Sequence, residues 1–436
     1  MQRLAILGGG LAGLSLAYFL TKNMKDIYLD IFEKESVVGG LCRSFKTSNI
    51  YWDIGPHIIF SKNKEILSLM VELLGDNVLR VKRSNQIFYN KKFIKYPFEN
   101  NLHQLPEEDC EYCLNTFLNN SYKNYSPHNM LAFFLKTFGE GITSCYLEPY
   151  NKKIWEFNPV FMNTLMVERI PSPPPEDIIA GARRNAKEGY VHQLYFYYPK
   201  NGGIASLINN ICDLIPKERA KFFTNSEVVG INQNNEGNWQ ISLSTGENYT
   251  NYNKIVSTIP MTELIRVLPN VPQEVTVASN ALMNNSIAVI FLKVSSDNIG
   301  NNFSITIPDK DVLAHRISKL DFLGPINSNE TNLLVEVTFR DKDIISEMSD
   351  EKLLELIDLD LKRIGLLNES TIILDAEIRR VPYAYVIYDL NYQNNTDIIK
   401  KYLKLLGITI HGRFGTFEYL NMDQVIANSK ELSEQL

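Results

Sequence analysis

The sequence of 436 residues lacks any run of about 18 or more apolar residues, so we predict no transmembrane helix. The N-terminus also lacks the longer apolar region and the small-residue cleavage site of a signal peptide, because the apolar run Leu4–Leu7 meets glycines at once. From these two absences we expect a soluble protein of the cytoplasm.

Cysteine is scarce, and the five cysteines are an odd number that fits a reducing compartment better than a disulfide scaffold. The only CxxC motif, Cys110 to Cys113, lies in a helical pattern without a second such motif or a nearby pair of histidines. We therefore interpret both cysteines as ordinary helix thiols and expect no metal site.

A large excess of charge is absent as well, since the formal net charge is only −6. This balance gives no reason to bind nucleic acid or an anionic membrane, so an anionic ligand must be held by local arginines or backbone amides. The length predicts two or three subdomains, because a single hydrophobic core stops growing well before 436 residues.

A glycine-rich turn lies near the start of the chain, between an apolar strand and a helix. Gly8 makes the tight turn, Gly10 lets the backbone approach a pyrophosphate, and Gly13 lets the helix pack closely on the strand. Glu33 ends the next strand, where its carboxylate can accept hydrogen bonds from ribose hydroxyls. The unit predicts a dinucleotide site formed by Gly8, Gly10, Leu11, Ala12, Gly13 and Glu33.

A second pair of glycines favours FAD over NAD as the cofactor. Gly39 and Gly40 precede Arg43, which suits a second approach of the backbone to the pyrophosphate. The run Phe32–Ser44 resembles the FAD-binding segment of the amine oxidase and UDP-galactopyranose mutase superfamily, and Ser226–Val228 resembles the element whose backbone meets the adenine there. The resemblance implies non-covalent FAD with contacts from Lys34, Gly40, Leu41, Arg43 and Val228.

Further segments resemble the mutase branch of that superfamily. Trp52–Ile58 is similar to a loop that touches the flavin, Tyr96–Asn101 to a nucleotide-binding stretch, and Phe138–Trp155 to a helical substrate domain. Gly412–Asp423 resembles the C-terminal flavin-binding end. The resemblance implies flavin contacts from Gly55, Pro56, His57, Arg413, Tyr419, Asn421 and Met422, and substrate contacts from Tyr96, Phe98, Asn100, Asn151, Trp155, Tyr385 and Tyr419.

Three residues are implied in catalysis by the same resemblance. Two arginines hold the substrate diphosphate in the mutases; Arg169 and Arg316 resemble them, and His57 would position the loop beside the flavin. A structural role stays open for each: a surface arginine beside an acid, or a histidine bonded to backbone. Structural roles also stay open for Trp155 as a helix anchor and for Tyr385 and Tyr419 as core aromatics.

The chain departs from the mutase pattern at four positions. Thr306 and Leu323 stand where eukaryotic-type mutases carry tyrosines, and Glu99 stands where a glutamine is expected. Asn421 stands where bacterial-type mutases have an aspartate. These differences concern the identity of the nucleotide and the sugar more than the flavin.

The expected fold class is α/β (α+β overall), with a Rossmann-like FAD-binding domain, a helical insertion and a substrate domain containing a mixed or antiparallel sheet. We predict that residues 1–85, 195–275 and 375–436 form the FAD-binding domain. Residues 86–194 would form the helical substrate domain and residues 276–374 the sheet-containing one. Within the helical part, the proline cluster Ser172–Pro175 predicts an extended connection.

The implied activity is that of an FAD-dependent nucleotide-sugar mutase, which interconverts pyranose and furanose forms for cell-surface polysaccharide precursors, with N5 of reduced flavin as the nucleophile. The implied partner is a nucleotide-diphosphate sugar, NAD(P)H is a candidate external reductant, and homo-oligomerisation is left open. Two alternatives stay open. One is an FAD-dependent oxidoreductase acting by hydride transfer on an amine, a sugar or a polyene, and the other is a flavin-stabilised binding protein without catalysis.

Overall fold

The computed structural model describes residues 2–169, 172–183, 194–321 and 330–436, with the main chain alone for residues 168 and 169. The described strands are β1 (Gln2–Leu7), β2 (Ile27–Phe32), β3 (Ser44–Thr47), β4 (Ile50–Asp53), β5 (Val78–Lys82), β6 (Asn85–Tyr89), β7 (Lys92–Lys95), β8 (Tyr195–Pro199), β9 (Ala220–Phe223), β10 (Val228–Gln233), β11 (Trp239–Leu243), β12 (Asn248–Tyr252), β13 (Lys254–Ser257), β14 (Met283–Val294), β15 (Ser304–Thr306), β16 (Arg316–Lys319), β17 (Thr331–Phe339), β18 (Ile373–Ile387) and β19 (Thr409–Ile410).

The described α-helices are α1 (Leu11–Asn23), α2 (Lys64–Leu74), α3 (Glu107–Leu118), α4 (Met130–Ile142), α5 (Glu148–Trp155), α6 (Pro175–Ala182), α7 (Ala205–Asp213), α8 (Met261–Arg266), α9 (Gln273–Ala281), α10 (Ile344–Glu347), α11 (Asp350–Arg363), α12 (Tyr392–Leu406) and α13 (Met422–Gln435). None of these helices is long and apolar enough to cross a membrane.

The first sheet is parallel and has the strand order β19-β13-β1-β2-β9. The last four residues of β1 are fully buried, as expected for a strand covered on both faces of a parallel sheet. Helix α1 packs against α13, where the hydroxyls of Ser15 and Ser429 lie 2.7 Å apart. The predicted βαβ unit and its Rossmann-like fold class are thereby confirmed.

The second large sheet has the order β18-β14-β17-β16-β15-β6-β7 and is antiparallel except between β15 and β6. Alternate residues of β14 lie in two different cores: Ile290 and Leu292 pack with α11, whereas Val289 and Phe291 pack with the helical part and Trp52. Both faces of this sheet are therefore covered, one by α11 and the other by the helical part and Trp52. The mixed sheet that the sequence predicts is confirmed.

The helical part consists of α3, α4, a π-helical turn Thr143–Leu147, α5 and α6. Helix α4 begins at Met130 because the side chain of Asn129 accepts a hydrogen bond from the Ala132 amide. The prediction that Ser172–Pro175 is extended throughout is wrong at its last residue. Pro175 is the first residue of α6, where a missing N–H removes no helical hydrogen bond. The boundaries of the three domains stay predictions.

Candidate functional site

The glycine turn between β1 and α1 presents bare backbone. Gly8 has a φ of +104°, which only glycine adopts readily, and its amide donates to the Phe32 carbonyl at 2.8 Å. A Cβ on Gly13 would lie 2.2 Å from the Gly8 carbonyl oxygen, so the helix can approach the turn only without a side chain there. Gly10 caps α1 from its backbone alone, which leaves the first amides of the helix and its positive dipole end open to an anion.

A second glycine segment lies alongside this turn. The Gly39 amide donates to the Gly9 carbonyl at 2.8 Å, and Gly10 and Gly39 form an isolated parallel bridge. Gly40 has a φ of +57°, and a Cβ on it would lie 3.1 Å from the Cα of Gly10. Arg43 donates to the Gly40 carbonyl and holds the segment in place. The two segments form a cradle of main chain of the kind that a pyrophosphate requires.

Glu33 lies at the edge of this cradle and is 8% exposed. Its carboxylate accepts one hydrogen bond from the Gly9 amide and another from the Glu35 amide, each of 2.9 Å. The main chain of Ser226 in turn donates to the Glu33 carbonyl, which brings the start of β10 at Val228 to the same edge. Of the remaining predicted contacts here, Leu11 and Ala12 are buried, Leu41 is half-buried and Lys34 is exposed.

The C-terminal loop covers the start of α1. A Cβ on Gly412, whose φ is +83°, would lie 2.4 Å from the Cβ of Ala12. The next residue, Arg413, donates to the carbonyls of Leu420 and Ala384 at 3.0 and 2.6 Å. Its Nε is buried and has no partner among the described residues, so one donor is left for a ligand. Helix α13 begins at Met422, and the preceding residue, Asn421, forms a capping box with Gln424.

Three aromatic rings meet beside Arg413. The rings of Tyr385 and Tyr419 stack with centroids 5.7 Å apart, and Trp155 lies edge-on to both, at 5.8 and 5.9 Å. The guanidinium of Arg413 lies over the Tyr419 ring at 4.1 Å. Asn151 accepts from the Trp155 indole N–H at 2.8 Å, which fixes the orientation of the ring. The structure therefore brings together five residues that the sequence predicted separately.

Arg316 lies on β16 and is an electrostatic neighbour of Tyr385 in this cluster. Its Nε and Nη2 donate to the two carboxylate oxygens of Glu336, each at 2.6 Å. Glu336 is fully buried, whereas the side chain of Arg316 is 27% exposed. Burial lowers the pKa of Arg316, but the charge and hydrogen bonds of Glu336, together with Tyr385 and Tyr150 nearby, raise the pKa well above its usual value. The guanidinium therefore stays charged, and its Nη1 takes no part in the two hydrogen bonds to Glu336.

The loop Gly55–His57 lies beside this ion pair. A Cβ on Gly55, whose φ is +75°, would lie 3.2 Å from Glu336 Oε2 and 3.7 Å from Arg316 Nη2. Burial, with Arg413 and Arg316 nearby, lowers the pKa of His57 to about 4, so this histidine is neutral at pH 7. Its Nδ1 lies 3.1 Å from the Gly55 carbonyl, so it donates there and fixes the loop.

Sequence reasoning missed Glu336 and Tyr150. Glu336 is the single charged residue of β17, an otherwise apolar strand, and that isolation was the available signal. Tyr150 follows the buried Tyr146, whose ring stacks on those of Phe98 (4.9 Å) and Tyr150 (5.5 Å). The electrostatic neighbours of Tyr150 are Arg316, Glu336 and Tyr419, which places it in the site.

The predicted nucleotide stretch lies at the far end of this aromatic stack. Phe98 is fully buried and Tyr96 is half-buried, while Asn100 is 3% exposed with its Oδ1 unpartnered among the described residues. The hydroxyl of Thr306, which replaces an expected tyrosine, shares a hydrogen bond with the hydroxyl of Tyr146. The helical part thus supplies aromatic rings, those of Tyr146 and Tyr150, beside the strand β15 that carries Thr306. Main-chain placement puts Arg169 at the end of a 3₁₀ helix, Thr164–Arg169, but its side chain and all of Leu323 lie outside the described residues.

Replacing Glu99 with glutamine is expected to stabilise the protein in a pH-dependent way. Glu99 is 2% exposed, its Oε1 has no partner among the described residues, and burial raises the pKa of its carboxyl to about 7. Because the unfolded pKa is about 4.3, the folded state loses stability as the pH rises from about 4 to 7. E99Q removes this loss, so we expect a gain of about 1–3 kcal/mol at pH 8 and little gain at pH 5.

Thermal melts of both proteins at the two pH values measure this effect. The exposed Glu108→Gln on α3 is the matched control and should change neither melting temperature. An equal gain from E99Q at pH 5 and pH 8 would contradict a buried, titrating Glu99.

A model of the family described as "Flavin containing amine oxidoreductase" matches residues 11–394. The curated protoporphyrinogen oxidase 2 of Arabidopsis thaliana (chloroplastic/mitochondrial) is 32% identical over 93 residues, which are 21% of this chain and 17% of that protein. The match therefore spans less than a fifth of the relative.

Two solved structures share the fold over the whole chain. A crystal structure of reduced UDP-galactopyranose mutase has a TM-score of 0.89 at 24% identity and covers 100% of this chain and 95% of its own. A double mutant of putrescine oxidase has a TM-score of 0.69 at 11% identity, with coverage of 100% and 99%. At these identities the likeness shows the fold and leaves the reaction to the site residues.

Proposed function

Since the chain belongs to the family of flavin-containing amine oxidoreductases, we propose that it is an FAD-dependent mutase that isomerises the sugar of a nucleotide-diphosphate sugar. The observation that carries this proposal is the group of arginines and tyrosines around the loop Gly55–His57. The structural likeness to reduced UDP-galactopyranose mutase supports it, because that protein is named for such a reaction.

The cradle supports FAD as the cofactor. A pyrophosphate needs close main-chain approach and a helix N-terminus, and the glycines at positions 8, 10, 13 and 40 provide both. Glu33 would accept hydrogen bonds from the ribose hydroxyls of such a ligand, and the Nε of Arg413, which is buried and without a partner among the described residues, would be free to donate to it. The residues present therefore fit the group.

The charges of the site favour an anionic substrate. The guanidinium groups of Arg316 and Arg413 carry two positive charges, and Glu336 is hydrogen-bonded to Arg316 through both of its oxygens. A diphosphate can accept hydrogen bonds from guanidinium groups, which a protonated amine cannot do. The rings of Tyr385, Tyr419 and Trp155 supply faces for a sugar, and the tyrosine hydroxyls supply hydrogen bonds.

Each residue then has a definite task. Reduced flavin, when bound, supplies the nucleophile for the sugar. Arg316 would donate through Nη1 to the departing diphosphate, with Glu336 holding the guanidinium still and charged. Neutral His57 keeps the loop Gly55–His57 in place through its hydrogen bond to Gly55. Arg169 is proposed as the second diphosphate ligand.

The second candidate is an FAD-dependent oxidoreductase that works by hydride transfer. It is favoured by the names of two matched proteins, protoporphyrinogen oxidase 2 and putrescine oxidase. The same cradle serves both reactions, so the choice between them depends on the substrate.

An anaerobic isomerisation assay separates the two candidates. The purified flavoprotein is reduced with dithionite and incubated with a panel of nucleotide sugars, and products are separated by chromatography beside an oxidised-enzyme control. A mutase yields a new isomer of unchanged mass with the reduced enzyme alone. Absence of any isomer, together with flavin bleaching by an amine or another hydride donor, would establish the oxidoreductase. Anaerobic bleaching by NADH or NADPH tests the proposed external reductant.

A further inference from the structure

Three thiols lie where helix α3 crosses α4 and the π-helical turn. Cys110 and Cys113 are on α3, and Cys145 is in the turn Thr143–Leu147. The crossing is unusually close, because a Cβ on Gly141 would lie 2.6 Å from the Cα of Cys113. The Gly141 amide also donates to Thr116 Oγ1 at 2.8 Å. Four residues after Gly141, the sulfur of Cys145 is hydrogen-bonded to the sulfur of Cys113.

The two sulfurs of this pair have opposite environments. The Cys113 thiol and the Tyr89 hydroxyl donate to Cys145 and lower its pKa; Ser144 acts in the same direction, whereas burial and Asp109 oppose it. The hydrogen bond to Cys145, burial, Asp109 and Cys110 all raise the pKa of Cys113. Cys145 is half-buried and Cys113 is fully buried. Solvent therefore reaches Cys145, whose thiol accepts hydrogen bonds, whereas Cys113 is enclosed and in contact with it.

We propose that Cys145 and Cys113 form a redox-active dithiol that closes to a disulfide when a hydroperoxide oxidises Cys145. The Cys145 thiolate attacks the peroxide oxygen, the O–O bond breaks, and Cys145 becomes a sulfenic acid while the peroxide leaves as an alcohol or water after taking up a proton. Cys113 sulfur then attacks the sulfenyl sulfur, loses its proton, and releases water as the S–S bond forms. The hydroperoxide is an external oxidant, and the two thiols together supply the two electrons that reduce it.

The remaining cysteines lack one part of this arrangement. The sulfur of Cys110 points to the Ala182 carbonyl at 4.0 Å, and burial with Glu111 nearby raises its pKa. Cys42 and Cys212 belong to a different core, and burial raises the pKa of each. The position of Cys145 also links the pair to the substrate site, because the next residue, Tyr146, stacks on Tyr150.

Peptide mass mapping of the full-length protein tests the proposal. The reduced protein is treated with a small excess of hydrogen peroxide, free thiols are alkylated, and the digest is analysed without reductant. We expect one disulfide, joining the peptides that contain Cys113 and Cys145, and its loss after dithiothreitol. In Cys113→Ser, dimedone should trap a sulfenic acid on Cys145. Cys145→Ser should form no disulfide.

The matched control is Cys212→Ser, which removes a half-buried thiol of α7 and should leave the Cys113–Cys145 disulfide unchanged. Three results would overturn the proposal: all five thiols intact, a disulfide between Cys110 and Cys113, or a sulfinic acid on Cys145 without a disulfide. None of these readouts depends on the isomerase activity.

Discussion

Replacing Arg316 with alanine is expected to lower kcat for nucleotide-sugar isomerisation by about 10²–10³-fold while the flavin stays bound. The reason is that a guanidinium aimed at the leaving diphosphate acts mainly in the transition state, where the charge develops. The flavin should be retained because the cradle is built from the glycine segments of residues 8–13 and 39–40, and Arg316 lies on the other sheet.

The single substitution also leaves Glu336 without its partner, because this fully buried carboxylate accepts hydrogen bonds from Arg316 through both oxygens. An unpaired buried carboxylate costs about 3–5 kcal/mol of stability, so a loss of activity alone could reflect unfolding. The double variant Arg316→Ala/Glu336→Gln removes both charges. We expect it to recover most of the melting temperature and none of the turnover.

Steady-state kinetics with reduced enzyme, flavin absorbance and thermal melts complete this test. Arg266→Ala is the control, since Arg266 is exposed and its pair with Glu263 is a helical surface pair worth about 0.5 kcal/mol or less. If the double variant turns over a saturating nucleotide sugar at the wild-type rate, Arg316 does not hold the diphosphate.

Local chemistry explains why the cradle could be predicted from the sequence. Gly8, Gly10 and Gly13 have tasks that depend on neighbours within a few residues, and the structure places a backbone oxygen where a side chain of Gly13 would be. The strand, turn and helix around them follow from apolar periodicity and glycine alone. The parallel sheet then follows from the βαβ unit.

The substrate site depends on pairings that no local pattern encodes. Arg316 meets Glu336 because β16 and β17 are antiparallel neighbours in one register, and a shift of one residue would turn either side chain to the other face. Tyr385 meets Tyr419 through the end of β18 and the C-terminal loop. The resemblance to the mutase branch named most of these residues, but only the fold shows that the arginine is paired with a buried acid.

The glycines of the cradle give a second prediction, in which two similar substitutions have different outcomes. Gly13→Ala places a Cβ 2.2 Å from the Gly8 carbonyl oxygen and 3.0 Å from Ile6 Cγ2, so α1 must move away from β1. We expect a loss of about 3 kcal/mol or more of stability together with the flavin. Gly10→Ala meets nothing closer than the Gly40 Cα at 3.7 Å, and its φ of −76° suits alanine.

For Gly10→Ala we therefore expect the flavin-free protein to be as stable as the flavin-free wild type. We also expect its affinity for FAD to be at least about tenfold weaker. The reason is that the added methyl group occupies the gap between the two glycine segments, through which the pyrophosphate must approach the backbone. Thermal melts of the flavin-free proteins and fluorescence titrations with FAD measure the two effects separately. Gly230→Ala, in β10 and outside the cradle, is the control; its Cβ would make an ordinary 3.4 Å contact with Ser242, so both quantities should stay unchanged. If Gly10→Ala bound FAD as tightly as the wild type, the pyrophosphate could not lie between residues 10 and 40. The cofactor would then have to contact a different part of α1.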